Sequence, residues 1–283
     1  LVNLLPLDDG ELITAMLPLD LEALRKQSPE GDEPEDIEGE LVEQDDVEEV
    51  VEDEDGEEAE AAEEQDEPTG AYIFMATANG TVKKTPLIQF SRPRTSGLIA
   101  LRLEEGDTLI AAAITDGARE VMMFSDGGKV IRFKESKVRT MGRTARGVRG
   151  MRLPKDQHII SMLIPAEAAQ ILTASARGFG KRTPIDEYPQ RGRGGQGVIA
   201  MVSNERNGKL VGAVQVLDGE EIMLISDQGT LVRTRVDELR CAGAAVGDPL
   251  ALGDLAAGQR YTLFLVPSAQ GPRLFQALDN LAN

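Results

Sequence analysis

The feature that most constrains this chain is a repeat of about 50 residues. From Tyr72 onward, four segments share one plan: an apolar strand, a polar turn with glycine, a second strand and a basic residue near its end. The turn glycines are Gly80, Gly128, Gly178 and Gly229. A second set of glycines follows at intervals of 50 residues, at Gly97, Gly147, Gly197 and Gly247. Such a period predicts one structural unit that is used four times.

Each repeat predicts four short strands. The second glycine is followed by a third apolar run, such as VRGMRL from Val148, and then by a turn and a fourth run, such as IISMLIP from Ile159. Four short strands in each unit are typical of blade architectures. One blade alone leaves both of its faces exposed, whereas stacked blades cover these faces and protect the edge strands. We therefore predict an all-β, propeller-like fold of four-stranded blades, with a set of separate small β domains as the alternative.

The same repeat predicts the domain boundaries. Residues 1–20 match the second half of a repeat and predict part of an upstream blade. Residues 21–70 predict an acidic insertion, because residues 30–67 contain 23 Asp and Glu and no Lys or Arg. A segment with so little apolar content cannot offset its ordering entropy, so we expect it to be disordered. The four blades are predicted at residues 71–118, 119–168, 169–219 and 220–283, the last with a C-terminal tail.

The rest of the chain after the acidic insertion has more basic than acidic residues. The net charge of the whole chain is −19, which argues at first against a nucleic-acid partner. Residues 68–283, however, contain 28 Lys and Arg against 21 Asp and Glu. Charge asymmetry of this kind says more about binding partners than the overall balance does.

Several functional classes are disfavoured by composition. The chain has one Cys and one His, which cannot form a disulfide or assemble a zinc site, and a reducing cytosol fits this cysteine usage. No apolar stretch approaches the roughly 18 residues of a membrane span, so we expect no membrane association. We find no paired carboxylates, metal cluster or nucleophile–base pair, and we predict no catalytic residue, cofactor site or metal site.

Positive charge recurs in the loops and at the strand ends of each repeat. Because equivalent positions of a repeat occupy equivalent points of a ring, these charges predict a basic rim. Such a rim favours contacts with DNA phosphates that are insensitive to sequence and sensitive to salt. The residues predicted for this rim are Lys83, Lys84, Arg92, Arg94, Arg132, Lys134, Lys137, Arg139, Arg143, Arg146, Lys181, Arg182, Arg233 and Arg235.

The third repeat also contains the run Q-R-G-R-G-G-Q-G, which we call the box loop. It has no apolar side chain, and its four glycines disfavour a helix or an ordinary strand. Its two arginines carry planar guanidinium groups that suit phosphate oxygens. We predict a DNA-binding loop formed by Gln190, Arg191, Gly192, Arg193, Gly194, Gly195, Gln196 and Gly197.

These residues resemble the C-terminal domain of the DNA gyrase A protein, which is part of a type IIA topoisomerase. The resemblance is close in Leu1–Leu7, Phe74–Thr85, Phe133–Arg139 and Gly229–Val236. The defining box of that family reads Q-R-R-G-G-K-G. The box loop is similar to it, with Gly192 inserted and Gln196 in place of the lysine.

The resemblance implies a six-bladed β-pinwheel that wraps double-stranded DNA on its basic rim, so that the full enzyme can introduce negative supercoils with ATP. ATP and magnesium would belong to the rest of the enzyme. The implied partners are the remainder of the gyrase A protein and the gyrase B protein, in an A2B2 heterotetramer in the cytoplasm at the nucleoid. The alternatives are the equivalent domain of topoisomerase IV and a protein-binding propeller scaffold whose acidic segment recruits a basic partner.

Overall fold

A computed structural model of the chain describes residues 13–15, 17, 70–91, 97–167, 169–226, 231–239, 241–242, 250–251 and 261–266. Apart from Gly70, the predicted acidic insertion lies outside the described residues. The same is true of most of the predicted half blade at residues 1–20 and of the C-terminal tail.

The described part of the chain consists of short β-strands, with brief 3-10 helices and no α-helix. The 3-10 helices follow the second strand of each repeat and span Leu87–Phe90, Glu135–Lys137, Ile185–Glu187 and Val236–Glu238. The strands are β1 (Tyr72–Thr77), β2 (Thr81–Pro86), β3 (Leu109–Thr115), β4 (Glu120–Ser125), β5 (Lys129–Lys134), β6 (Val148–Arg149), β7 (Ile159–Leu163), β8 (Gln170–Ser175), β9 (Phe179–Pro184), β10 (Val198–Ile199), β11 (Leu210–Val216), β12 (Glu221–Ser226), β13 (Leu231–Arg235), β14 (Leu250–Ala251) and β15 (Tyr261–Val266).

These strands form successive antiparallel sheets, one for each repeat. Strand order is β3-β1-β2-β6 in the first sheet, β7-β4-β5-β10 in the second and β11-β8-β9-β14 in the third. The described residues of the fourth sheet give the order β13-β12-β15. The predicted all-β fold of four-stranded blades is confirmed.

The outermost strand of a sheet comes from a different repeat than the other three strands. In the second, third and fourth repeats, the third apolar run does not join the sheet of its own repeat: β6 pairs with β2, β10 with β5 and β14 with β9 of the preceding repeat. The exchange supplies partners for backbone groups along strands that would otherwise be sheet edges. Each blade is thereby closed by a strand from the blade that follows it.

Alternating side chains of the second sheet fill two different cores. Val121 and Met123 pack in one cluster with Phe74 of the first sheet. Met122 and Phe124 pack in another cluster with Ile171 of the third sheet. Successive side chains of a strand point to opposite faces, so the central residues of β4, which lies between two blades, are apolar on both faces. The blades are therefore held together by shared hydrophobic layers.

Candidate nucleic-acid interface

The box loop belongs to the third repeat, but it packs against the second repeat and is held there by backbone hydrogen bonds. The amide of Arg191 donates to the carbonyl of Arg132 at 2.8 Å, and the amide of Gly194 donates to the carbonyl of Gly150 at 2.7 Å. In return, the amide of Arg152 donates to the carbonyl of Gly195 at 2.9 Å. The box loop is consequently attached to β5 and to the segment that follows β6.

Glycine is required where the box loop returns to the sheet. Gly197 has a φ of 71°, in the left-handed region that side chains disfavour. A Cβ atom at this position would lie 2.3 Å from the carbonyl oxygen of Val130. Gly147, one repeat earlier, has a φ of 107°, and its added Cβ would lie 2.6 Å from the carbonyl oxygen of Val82. Gly147 and Gly197 thus mark the points where these two loops cross closely over the preceding blade.

The two arginines of the box loop have different surroundings. The Nε of Arg193 donates to the carbonyl of Lys137 at 2.8 Å, and its Nη1 donates to the carbonyl of Arg149 at 3.2 Å. This half-buried guanidinium therefore holds the loop to the second repeat. Arg191 is exposed, as are Gln190, Gly192, Gly195 and Gln196, whereas Gly194 and Gly197 are half-buried.

Three of the predicted rim residues lie in the interior. Lys83 and Lys84 are 0% exposed and Lys181 is 2% exposed. The expectation that these lysines lie on an exposed rim is corrected by their burial: β2 and β9 are covered by neighbouring loops as well as by neighbouring strands. Their charges take part in the packing of the blades.

The surroundings of the two first-repeat lysines show what their charges do. The Nζ of Lys83 donates to the carbonyl of Ala100 at 2.8 Å and also to that of Arg143. Burial lowers the pKa of the Lys83 amine to about 8, and the Arg143 charge acts in the same direction. The Nζ of Lys84 lies 5.0 Å from the centre of the Tyr72 ring. Both lysines thus serve contacts within the protein.

Two aligned arginines connect one blade to the next. Arg132 pairs with Glu120 of its own sheet and donates through Nη1 to the carbonyls of Ile185 and Tyr188 at 2.9 and 3.0 Å. These carbonyls belong to the turn that precedes the box loop. The Arg132 side chain is only 15% exposed. Its predicted place on an open rim is therefore corrected to a connection between blades.

Arg182 repeats this arrangement one blade later. Its Nη1 lies 2.8 Å from a carboxylate oxygen of Asp218, and its Nε donates to the carbonyl of Leu239 at 2.9 Å. The side chain is 14% exposed. The equivalent of these arginines in the fourth repeat is Arg233, which is exposed and pairs with Glu221, while Arg235 lies 3.0 Å from Asp237.

The exposed predicted cations are concentrated in the second repeat. Lys134, Lys137, Arg139 and Arg146 are exposed, and Arg143 is half-buried. They occupy the end of β5, the following 3-10 helix and the loop that leads to β6. Arg92 and Arg94 lie outside the described residues.

Sequence reasoning overlooked two basic residues beside the box loop, Lys129 and Arg152. The Nζ of Lys129 donates to the Oε1 of Gln196 at 3.2 Å. The backbone amide of Arg152 bonds to Gly195, and its side chain is exposed. Neither residue occupies a position that is basic in every repeat, so the periodic pattern did not reveal them.

A metal site and a membrane-spanning helix each place structural requirements on the described residues. Within them, no group of three or more His, Cys, Asp or Glu side chains is arranged to hold a metal ion. No helix in the described part of the chain is long and apolar enough to cross a membrane.

Known proteins share this sequence pattern. A family model described as "DNA gyrase C-terminal domain, beta-propeller" matches residues 71–116, 119–166, 169–216 and 220–247. The DNA gyrase A protein of Pseudomonas aeruginosa is 71% identical over 248 residues, which cover 86% of this chain and 26% of that protein. The DNA gyrase A protein of Salmonella typhimurium is 56% identical over 174 residues, which cover 62% of this chain and 20% of that protein. The chain spans about a quarter of these relatives or less.

Solved structures share the fold. A crystal structure of the C-terminal domain of DNA topoisomerase IV matches with a TM-score of 0.64 at 27% sequence identity and covers 70% of this chain and 62% of that chain. A structure of the DNA gyrase A C-terminal domain matches with a TM-score of 0.59 at 25% identity and covers 69% of this chain and 65% of that chain. On its sequence and its blades, the chain belongs to the DNA gyrase C-terminal domain family.

Proposed function

We propose that this chain is the DNA-wrapping module of a DNA gyrase A protein. It bends duplex DNA round a rim of Lys and Arg side chains, so that the complete enzyme introduces negative supercoils with ATP. The relatives from Pseudomonas aeruginosa and Salmonella typhimurium are gyrase A proteins, and the similarity to the first extends over most of the chain. Their names support this assignment.

The observation that carries the proposal is a group of exposed cations on neighbouring loops of the second and third repeats. Exposed Arg139 and Arg146 lie in the loop before β6, and exposed Arg191 lies in the box loop. The Arg193 guanidinium donates to the carbonyl of Lys137, just before the loop that leads to β6. The hydrogen bonds between Gly194 and Gly150 and between Arg152 and Gly195 attach the box loop to the segment that follows β6. Cations on joined loops of successive blades form a curved path, and a path of this kind neutralises successive phosphates of a bent duplex.

The remaining parts of the enzyme supply the other functions in this proposal. ATP hydrolysis, magnesium binding and strand cleavage belong to the rest of the gyrase A protein and to the gyrase B protein, in an A2B2 assembly in the cytoplasm at the nucleoid. In this proposal, residues 21–70 are an acidic insertion. The four blades and the tail keep the boundaries that the repeat predicts.

Two alternatives remain distinguishable from this proposal. The similarity in fold to the topoisomerase IV C-terminal domain favours the equivalent module of that enzyme as the second candidate. The topoisomerase IV alternative is tested by joining the module to the rest of its enzyme, where a gyrase module supports negative supercoiling. A protein-binding scaffold, by contrast, would not bind DNA at low salt.

The experiment is a ligation test with the full 283-residue chain. Nicked circular DNA is incubated with the protein and sealed, and the protein is then removed. We expect a shift in linking number that fades as salt rises, because the entropy gained by releasing counterions from the DNA falls as the salt concentration increases. Binding without a shift would contradict wrapping, and no binding at low salt would favour the scaffold.

A matched pair of variants links the shift to the rim. Arg139→Gln combined with Arg146→Gln removes two exposed charges from the proposed path, and we expect the salt dependence of binding to fall by a slope of about 2. Lys155→Gln removes an exposed charge from the turn before β7 and serves as the control. Equal effects of the two changes, per charge removed, would argue against a localised rim.

A further inference from the structure

The first observation concerns the contact between Lys129 and the box loop. Lys129 begins β5, and its cross-strand partner in β10 is Ile199. Its ammonium donates to the amide oxygen of Gln196 at 3.2 Å. Among the described residues, no carboxylate forms an ion pair with Lys129. An ammonium oriented by a neutral amide keeps its full charge for an anion from outside the protein.

The second observation comes from the equivalent place on the first sheet. There, β2 begins at Thr81, whose cross-strand partner in β6 is Arg149. The loop residue one position before the periodic glycine is Arg146 in the second repeat and Gln196 in the third. In the first sheet the strand residue is therefore neutral and the loop residues are cationic.

In the second sheet the distribution of charge is reversed. Gln196 and Ile199 in the loop and in β10 are neutral, while the strand residue Lys129 is cationic. The same point of two successive blades thus has positive charge, which comes from the loop in one blade and from the strand in the other. Ile199, the cross-strand partner of Lys129, is 48% exposed, which places this point at the protein surface.

We propose that Lys129 is a DNA phosphate-binding residue, oriented by Gln196, and that it continues the basic path from Arg146 and Arg149 onto the second blade. The inference rests on the proposed DNA-binding function and adds to it a specific contact. The ligand chemistry is a backbone phosphate of duplex DNA, which a single ammonium binds as a point charge without reading the base sequence.

A charge-relocation experiment tests the assignment. The affinity of the full chain for a short linear DNA duplex is measured over a series of salt concentrations. Lys129→Gln is expected to lower the slope of log affinity against log salt by about 1, since one phosphate contact is lost. The double variant Lys129→Gln with Gln196→Lys returns a cation to the loop, as in the first sheet, and is expected to restore the slope.

Two further variants separate charge from structure. Gln196→Ala keeps the charge of Lys129 but removes the amide that orients it, so we expect weaker binding with an unchanged slope. Lys155→Gln removes one charge from a turn that we do not assign to the path, and we expect the wild-type slope.

Each outcome bears on one proposal. If wild-type protein binds DNA and Lys129→Gln has the wild-type slope, Lys129 makes no phosphate contact and this inference is overturned. The same conclusion follows if the double variant fails to restore a lowered slope while retaining the wild-type thermal stability. If the wild-type chain does not bind the duplex at low salt, the proposed function itself fails.

Discussion

Three aligned strand cations and two loop cations of the second repeat have opposite surroundings in this protein. At the aligned strand position, Lys84, Arg132 and Arg182 are buried or nearly so, and their charges are used within the protein. In the loop of the second repeat, Arg139 and Arg146 are exposed to solvent. These three strand cations face the interior and the loop cations face solvent, whereas Arg233, the equivalent strand residue of the fourth repeat, is exposed.

The difference teaches that periodic charge alone does not identify a binding surface. A strand between two stacked blades has both of its faces covered, so a cation there must find acceptors inside the protein. Arg132 finds Glu120 and two carbonyls of the next blade, which makes it a connection between blades. A loop at the end of the blades has no such cover.

The largest effect expected from this comparison is on stability. Arg132→Met keeps the apolar stem but leaves Glu120 and the carbonyls of Ile185 and Tyr188 without the guanidinium. We expect the free energy of unfolding to fall by about 3 kcal/mol, measured by urea denaturation. Arg139→Gln, in the exposed loop, should change it by less than about 0.5 kcal/mol. Equal urea midpoints for Arg132→Met and Arg139→Gln would contradict the difference between strand and loop cations.

A smaller loss is expected where the box loop crosses the sheet. Gly197→Ala places a methyl group 2.3 Å from the carbonyl oxygen of Val130 at a φ of 71°. We expect a loss of about 2 kcal/mol, because either the loop or β5 must move. Gly192→Ala is the control within the same loop, because its added Cβ has no neighbour within 4 Å. The melting temperatures of the two variants measure the difference, and similar values would mean that the loop is not held against β5.

A further effect concerns the pH dependence of stability that Lys83 causes. Its pKa is lowered from the usual value of 10.5 to about 8 in the folded protein, so between these values the unfolded chain binds more protons. Stability conferred by this group therefore rises with pH across that interval. We expect wild-type protein to gain stability relative to Lys83→Met between pH about 8 and pH about 10, measured by denaturant unfolding. A constant difference would mean that the buried amine has an ordinary pKa.

The blade could be predicted from sequence because its signals are local. Apolar runs, turn glycines and a fixed period specify strands and turns within each repeat, and the sheets follow this pattern. The box loop was also recognisable as an irregular glycine-rich segment. Its attachment to Gly150 and Arg152 was not, because those contacts join different repeats.

The exposure of each cation could not be predicted in the same way. Lys83 and Lys84 are adjacent in β2, where alternation would place one of them outside, yet both are buried. Lys129 does not occupy a position that is basic in every repeat, and its contact with Gln196 spans 67 residues. Solvent access at these positions depends on the loops that neighbouring blades lay across the strands.

By itself, the sequence determined the number of repeats, the strands within them and the positions where only glycine fits the crossing loops. The tertiary structure decided which blade receives the third strand of each repeat and which positive charges remain exposed. The physical reason is the range of the interactions. Strand and turn preferences depend on neighbouring residues, whereas strand exchange and the burial of a charge depend on contacts between whole blades that are distant in the chain.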